Sequence, residues 1–113
     1  MRLFEKASQV NKLKILWKLA RISEQNNDIK SAIALNLELN LNEEVMRLMA
    51  ILEIKESPEN IVEWYESIGE EFSKRGVFIL AFKCFETIKR YLFHDLDHFL
   101  RIENKIIALN SET

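Results

Sequence analysis

The sequence contains very little glycine, proline and cysteine. Among its 113 residues there are two glycines, one proline and one cysteine, whereas Leu, Ile, Glu, Lys and Ala are abundant. The turns of a many-stranded sheet use glycine and proline, and the abundant residues here are strong helix formers. The composition therefore predicts an all-α fold. A hydrophobic fraction of 48% is enough for the core of one domain, so we do not expect a disordered chain.

The sequence also lacks a long apolar segment. The longest apolar run, from Val77 to Phe82, falls far short of the roughly 20 residues that a membrane span needs, and residues 1–10 lack the apolar part of a signal peptide. A lone Cys84 cannot form an internal disulfide, and its place between two phenylalanines favours a buried apolar role over a reactive thiol. We therefore expect a soluble, cytoplasmic chain without membrane insertion.

Charge is unevenly distributed although the net charge is only −2. Residues 1–22 carry six cations and one carboxylate, a balance of +5, whereas residues 38–71 carry ten glutamates and two cations, a balance of −8. Such asymmetry can steer a partner or a second copy, or it can reflect solvated helix faces. The cations of the first helix do not share one face, and the pI is about 5.7, so we expect no nucleic-acid partner.

The first predicted helix, about Phe4 to Gln25, carries two apolar stripes. Their members are Val10, Leu13, Trp17 and Ala20 on one side, and Ile15, Leu19 and Ile22 on the other. A helix with two apolar stripes packs on two sides. For the first helix of a chain, this indicates either a missing N-terminal neighbour or a contact with another subunit.

Polar breaks set the next helix boundaries. Residues 26–28 end the first helix, and a second helix starts near Ile29. Residues 35–42 alternate leucine with polar residues, which by itself indicates a strand. We expect a helix instead, because no second alternating run could pair with it; a strand here would have to pair between molecules. Asn42 is the expected N-cap of a third helix that runs to about Glu56.

Ser57 followed by Pro58 is the clearest helix start, and the helix it begins ends at Gly76. A fifth helix, about Phe78 to Phe93, is the most apolar and the expected centre of the core. A sixth, capped by Asp95 or Asp97, continues to about Leu109. Its expected buried side consists of Leu96, Phe99, Leu100, Ile106 and Ile107.

Residues 62–95 follow a known repeat pattern. The positions that carry the pattern are Tyr65, Ile68, Gly69, Phe72, Gly76, Ala81, Phe85 and Ile88. Their spacing resembles a tetratricopeptide repeat (TPR), and is similar to the repeats of intraflagellar-transport and coatomer scaffold subunits. Tyr65 stands where the family usually has tryptophan, and no proline follows the second helix. A degenerate repeat over residues 13–46 has Asn36 where an aromatic residue should lie.

The resemblance implies a single helical-repeat domain over residues 1–113, in which antiparallel helical hairpins stack as a short TPR-like α-solenoid. In the family, the ligand groove lies on the outer side of the first helix of each repeat. The matching residues here are Glu63, Glu66, Glu70, Ser73 and Lys74. Three glutamates in this set favour a basic segment of another protein as the ligand.

No catalytic or cofactor-binding pattern stands out. The two glycines are far apart, so there is no phosphate loop, and adjacent glutamates diverge on a helix. His94 and His98, with two nearby aspartates, have spacing that could hold zinc on a helix. A helix start with capping aspartates explains them better, and we expect no metal.

The sequence therefore favours a non-catalytic adaptor or scaffold for protein–protein interaction, with no enzyme activity and no cofactor. Two alternatives remain. One is a self-assembling structural subunit, either a homo-oligomer through the first helix or a piece of a larger solenoid. The other is a small TPR-like secretion chaperone.

Overall fold

Six α-helices make up the described part of the chain. The computed structural model describes the backbone of residues 3–112 and the side chains of residues 9–111. Within that range there is no strand, and the helices are α1 (Leu3–Gln25), α2 (Ile29–Glu38), α3 (Asn42–Lys55), α4 (Pro58–Lys74), α5 (Phe78–Lys89) and α6 (Leu96–Glu112). The predicted all-α class with about six helices is confirmed. Three side chains of the predicted basic segment, Arg2, Glu5 and Lys6, lie outside the described residues.

The helices form two compact units. Unit 1, Met1–Lys55, contains α1 to α3, and α2 packs against both of the others. Unit 2, Glu56–Thr113, contains α4 to α6, and α5 packs against both of the others. Within each unit, short turns join consecutive helices, which therefore run antiparallel. The continuous solenoid and the single repeat domain stay predictions. No helix in the described range is long and apolar enough to cross a membrane.

Unit 1 has its core between α2 and α3. The side chains that are fully enclosed there are Ala32, Ile33, Val45, Leu48 and Met49. Of the two predicted stripes on α1, only Ala20 is buried, at 3% exposure. The other members are between 44% and 58% exposed: Val10, Leu13, Ile15, Trp17, Leu19 and Ile22. Both stripes of α1 are therefore open to solvent.

Unit 2 has its core on α5. The residues that α5 buries are Ala81, Cys84, Phe85 and Ile88, and α4 contributes Ile61, Tyr65, Ile68 and Phe72. Cys84 is fully buried, as expected for a small apolar side chain, and burial raises the pKa of its thiol to about 12. Phe82, placed by the sequence on the core face, is 38% exposed instead.

The predicted buried side of α6 is right for Ile106, is half-buried at Phe99, and is wrong for the other three residues. The helix buries Ile102, Ile106 and Leu109, whereas Leu96, Leu100 and Ile107 are 68%, 49% and 59% exposed. The apolar residues of α6 form one broad face, of which one edge is buried and the other is exposed. The chosen rotation also turns His98 and Lys105 towards carboxylates on α4.

At Gly69, α4 and α5 pack closely against each other. A Cβ atom added at this position would lie 2.8 Å from Cε1 of Phe85 and 3.1 Å from Cβ of Cys84. No side chain fits there without displacing its neighbours, so glycine lets the two helices nest.

The turn between α1 and α2 repeats the turn between α4 and α5. In the first turn, four N–H groups donate to carbonyls: residue 26 to 22, residue 27 to 24, residue 28 to 23 and residue 32 to 28. In the second, residues 75, 76, 77 and 81 donate to residues 71, 73, 72 and 77, so that every partner is shifted by 49 positions. Asn27 (φ 60°) and Gly76 (φ 78°) are the left-handed residues of these turns. The degenerate repeat over 13–46 itself stays a prediction.

Three predicted boundaries need correction. The fifth helix ends at Lys89 instead of Phe93, because the next N–H groups donate to carbonyls three residues back in a tightened last turn. The alternating run at residues 35–42 is helical to Glu38 and then turns through Asn40, which has φ 59°. Leu41, rather than Asn42, is the residue before α3, since its carbonyl accepts from Val45 N–H.

Candidate functional site

The five predicted ligand-groove residues lie on α4, whose start is fixed by local signals. The Ser57 side chain accepts a hydrogen bond from Asn60 N–H at 3.5 Å, and Pro58 occupies the first helical turn. From this start, α4 turns Ile61, Tyr65 and Phe72 into the core of unit 2 and leaves the acidic residues on another side. The predicted set then divides between two pockets.

The first pocket, here the acidic pocket, contains Glu63 and Glu66 from the predicted set. It measures about 370 Å³ and is bordered by α4 and by the segment that precedes and begins α6. Its carboxylates are Glu59, Glu63, Glu66 and Asp95, its apolar members are Pro58, Val62, Tyr91 and Leu92, and it also contains His94 and His98. Four carboxylates around a partly apolar pocket, with no lysine or arginine among the lining residues, suit a cation on an aliphatic stem.

Glu66 is held by two partners from α6. His98 Nε2 lies 2.6 Å from Glu66 Oε1, and Lys105 Nζ donates to Glu66 Oε2 at 2.8 Å. Burial alone would raise the pKa of Glu66, but the hydrogen bonds from Lys105 and His98 outweigh it and hold that pKa below its usual value. Glu66 is therefore a partly buried, ionised side chain that fixes α6 on α4.

Lys105 separates the two halves of the predicted groove. Its ammonium group donates to both Glu66 and Glu70. Burial lowers the pKa of Lys105, but the hydrogen bonds to these two carboxylates outweigh burial and raise it above its usual value. A ligand that reaches Glu66 or Glu70 has to share them with Lys105, whereas Glu63 is exposed.

The second pocket contains the remaining predicted residues, Glu70, Ser73 and Lys74. It measures about 510 Å³, and its other lining residues are Phe78, Phe85, Lys105, Ala108 and Leu109. With one carboxylate and two ammonium groups, this half of the α4 face is not acidic. The acidic character expected for the whole face is therefore concentrated in its N-terminal half.

The histidine and aspartate group forms a helix start. Asp95 Oδ1 accepts a hydrogen bond from His98 N–H at 3.2 Å, as an N-cap side chain does, and α6 begins after it. His94 precedes the helix and contacts the Phe93 ring edge-on at 4.8 Å between ring centroids, while His98 faces Glu66. Among the described residues, no group of three or more His, Cys, Asp or Glu side chains is placed to hold a metal ion.

Sequence reasoning missed His98 and Lys105 as partners of the α4 face, and Asp95 as part of a pocket. A signal was present, because residues 98, 102, 105 and 109 have i, i+4, i+7, i+11 spacing on α6. A histidine and a lysine on the same stripe as a buried isoleucine and leucine require polar partners opposite. The identity of those partners, more than 30 residues away, could not be read from spacing.

Unit 1 has a pocket near the turn between α1 and α2, at positions that correspond to the second pocket of unit 2. It measures about 490 Å³ and is lined by Trp17, Arg21, Glu24, Asn36 and Arg47, together with Ala20, Gln25, Leu41 and Glu44. Arg21 stacks over the Trp17 ring at 4.7 Å, and Arg47 hydrogen-bonds to Glu24 at 2.7 Å and to Glu44 at 2.7 Å. The hydrogen bond from Arg47 is the main reason why the pKa of Glu24 lies below its usual value.

Asn36 lies in this pocket where the equivalent pocket of unit 2 has a phenyl ring. It is shifted by 49 positions from Phe85, which lines the second pocket of unit 2, of about 510 Å³. Asn36 is 6% exposed, and its Nδ2 donates to the Ala32 carbonyl at 2.8 Å. The two units therefore have pockets at corresponding positions, one with an amide and the other with an aromatic ring.

Comparison of the chain with protein-family models, with curated proteins and with solved structures finds no match.

Proposed function

We propose that this chain is a non-catalytic protein-interaction module whose acidic pocket binds a basic segment of a partner protein. The observation that carries the proposal is the grouping of Glu59, Glu63, Glu66 and Asp95 around an open pocket with an apolar part. Such a pocket takes the aliphatic stem of a lysine or arginine against Val62 and Leu92, while its charged end reaches the carboxylates. The resemblance to TPR-like scaffolds supports the same class of function.

The proposal extends to the setting of the module. The lone thiol of Cys84 is buried, which suits a compartment that does not form disulfides, and we propose that the module acts in the cytoplasm without a cofactor. Charge complementarity of this kind raises the rate of encounter and the discrimination between partners more than it raises affinity. We therefore expect binding that weakens steeply with salt.

The experiment uses Glu63→Lys as its main variant. Glu63 is exposed and borders the pocket, so its substitution reverses one charge there without breaking the contacts of Glu66 with His98 and Lys105. Substitutions at Glu66 or Glu70 are less informative, since they also remove partners of Lys105. Glu43→Lys, on an exposed site in unit 1, is the matched control with the same change of charge.

The probe is a fluorescently labelled basic amphipathic peptide, and fluorescence anisotropy measures its binding at low salt. We expect the wild type and Glu43→Lys to bind it equally, and Glu63→Lys to bind it at least about tenfold more weakly, the equivalent of roughly 1.4 kcal/mol. Equal binding by all three proteins, or no binding by the wild type, would contradict the assignment of the pocket.

A further inference from the structure

The outer faces of α1 and α6 carry apolar stripes that their own units leave uncovered. On α1 the stripe consists of Ile15, Leu19 and Ile22, which are 58%, 45% and 51% exposed. On α6 it consists of Leu96, Leu100 and Ile107, which are 68%, 49% and 59% exposed. We name these the α1 stripe and the α6 stripe. Each lies along one side of its helix, because its successive members are three, four or seven residues apart.

The α1 stripe is separate from the pocket of unit 1. Another side of α1, with Val10, Leu13 and Trp17, lines an apolar pocket of unit 1 together with Leu39 and Leu41. None of the three α1-stripe residues lines that pocket or the larger one beside it. Apolar side chains of this size, aligned on a helix that also pairs with α2, are typical of a second packing surface.

The two stripes carry opposite charges at their edges. Lys12 and Lys18 each lie three residues from Ile15 on the exposed surface of α1. Asp97 lies three residues before Leu100, and Glu103 lies three residues after it. Lys89 of α5 already pairs with Glu103, and exposed Arg101 lies four residues after Asp97, so Asp97 is the main carboxylate that this edge of the α6 stripe offers to another molecule. The lysines beside the α1 stripe can pair with Asp97 of a second copy, and the α6 stripe has no excess of positive charge to repel them.

The α1 stripe is shorter than the α6 stripe. At 1.5 Å per residue, the α1 stripe covers about 10 Å of helix and the α6 stripe about 16 Å, so the shorter one fits along the longer. An α1–α1 contact would bring lysines of both copies together, which is unfavourable for like charges. A contact between different faces of two copies is heterologous and, unless it closes into a ring, continues from copy to copy.

We infer that copies of this chain associate head to tail, with the α1 stripe of one copy packed against the α6 stripe of the next. The occupant of each stripe is thus a second copy of the chain. Six side chains bury less than the roughly 1,200–2,000 Å² of a standard interface, so the association is weak and depends on concentration. This surface does not include the acidic pocket, and the inference therefore does not depend on the proposed function.

The test uses one blocking substitution on each stripe, Leu19→Glu on α1 and Leu100→Glu on α6. Both sites are nearly half exposed, and circular dichroism checks that each variant keeps the helical content of the wild type. Ile54→Ser is the matched control, since Ile54 is an apolar residue on α3 that is 86% exposed and outside both stripes. The measurement is sedimentation equilibrium at low salt and at roughly 20–500 µM protein.

We expect the average mass of the wild type and of Ile54→Ser to rise above the 13.4 kDa of one chain as the concentration increases. Each blocked variant alone should stay at the mass of one chain. An equimolar mixture of the two blocked variants should reach the mass of two chains and stop, because only one intact α1 stripe and one intact α6 stripe can meet.

Three results would overturn the inference. One is a wild type that stays at 13.4 kDa over the whole concentration range. A second is association of Leu100→Glu alone to the same extent as the wild type, which would indicate a symmetric contact through α1. Growth of the mixture beyond the mass of two chains would also contradict a single contact between the two stripes.

Discussion

The nesting of α4 on α5 can be tested at Gly69. Replacement of a mid-helix glycine by alanine normally stabilises a helix by about 1 kcal/mol, because glycine has the larger conformational entropy when unfolded. Here the new methyl group would lie 2.8 Å from Cε1 of Phe85, whose ring is only 2% exposed and cannot move outwards easily. Overpacking of this kind costs about 1–3 kcal/mol. We therefore expect Gly69→Ala to lower the free energy of unfolding by roughly 1 kcal/mol, which corresponds to a fall in Tm of about 4 °C.

The size of Phe85 provides the sharper test, because it separates the steric cost from the gain in helix propensity. In a Phe85→Leu background, the ring edge that meets the new methyl group is absent, and only the 3.1 Å approach to Cys84 remains. The cost of Gly69→Ala should then fall to near zero or become a gain. A double-mutant cycle measures this coupling directly.

Gly76→Ala is the matched control within the same unit. Gly76 has φ 78° and no atom within 4 Å of an added Cβ, so its replacement costs about 1–2 kcal/mol of backbone strain without a clash. That cost should be the same with Phe85 or with Phe85→Leu. Gly76→Asn should cost less, since Asn27 and Asn40 adopt the same left-handed conformation in unit 1.

Urea unfolding, followed by the fluorescence of Trp64, is the suitable assay for unit 2. The chain has two tryptophans, one in each unit, and Trp17→Phe removes the one on α1. A stabilising effect of Gly69→Ala in the otherwise unchanged chain, or a cost that is unaffected by Phe85→Leu, would refute the close approach of α4 and α5 at this point.

Three further predictions concern unit 2. The pKa of Glu66 in the folded state lies below the usual 4.5, so Glu66 stabilises the fold above about pH 4.5 and loses that effect as the pH falls through the lowered pKa. In urea titrations between pH 6 and pH 3, the free energy of unfolding of Glu66→Gln should therefore decrease less with falling pH than that of the wild type. Asp95→Ala should cost about 1 kcal/mol in the same assay, and Asp95→Asn much less, if Asp95 caps α6. Burial raises the pKa of Cys84 to about 12, so a thiol reagent at pH 8 should label it only after unfolding; rapid labelling of the folded chain would contradict its burial.

The parts of the fold that sequence predicted well depend on local signals. Ser57, Pro58 and Gly76 act through their own backbone geometry and nearest neighbours, and both ends of α4 lie where these residues indicated. The end of α5 was missed because no glycine or proline marks it. Its last turn tightens through residues 90–92, which carry no such signal.

The rotation of α6 shows what local signals leave out. Its apolar residues form one broad face, and the edge of that face with Ile102 is buried, beside Lys105 and His98, which reach Glu66. Those partners lie 39 and 32 residues apart in the chain. The resemblance to the repeat family indicated Glu63 and Glu66 on α4, but the pocket around them also includes Asp95, which was predicted only as a helix cap.

Because α1 is largely exposed, its stability depends on its contacts with α2 and with a second copy of the chain. Among the described side chains of this 23-residue helix, only Ala20 is buried, whereas ordering the backbone costs roughly 1–2 kcal/mol per residue and isolated helices are marginal in water. Contacts with α2 offset part of that cost, and burial of Ile15, Leu19 and Ile22 against another copy would offset more. Head-to-tail association should therefore increase the protection of α1 amides from hydrogen exchange as the protein concentration rises. The amides of α5, which is enclosed within unit 2, should show no such dependence.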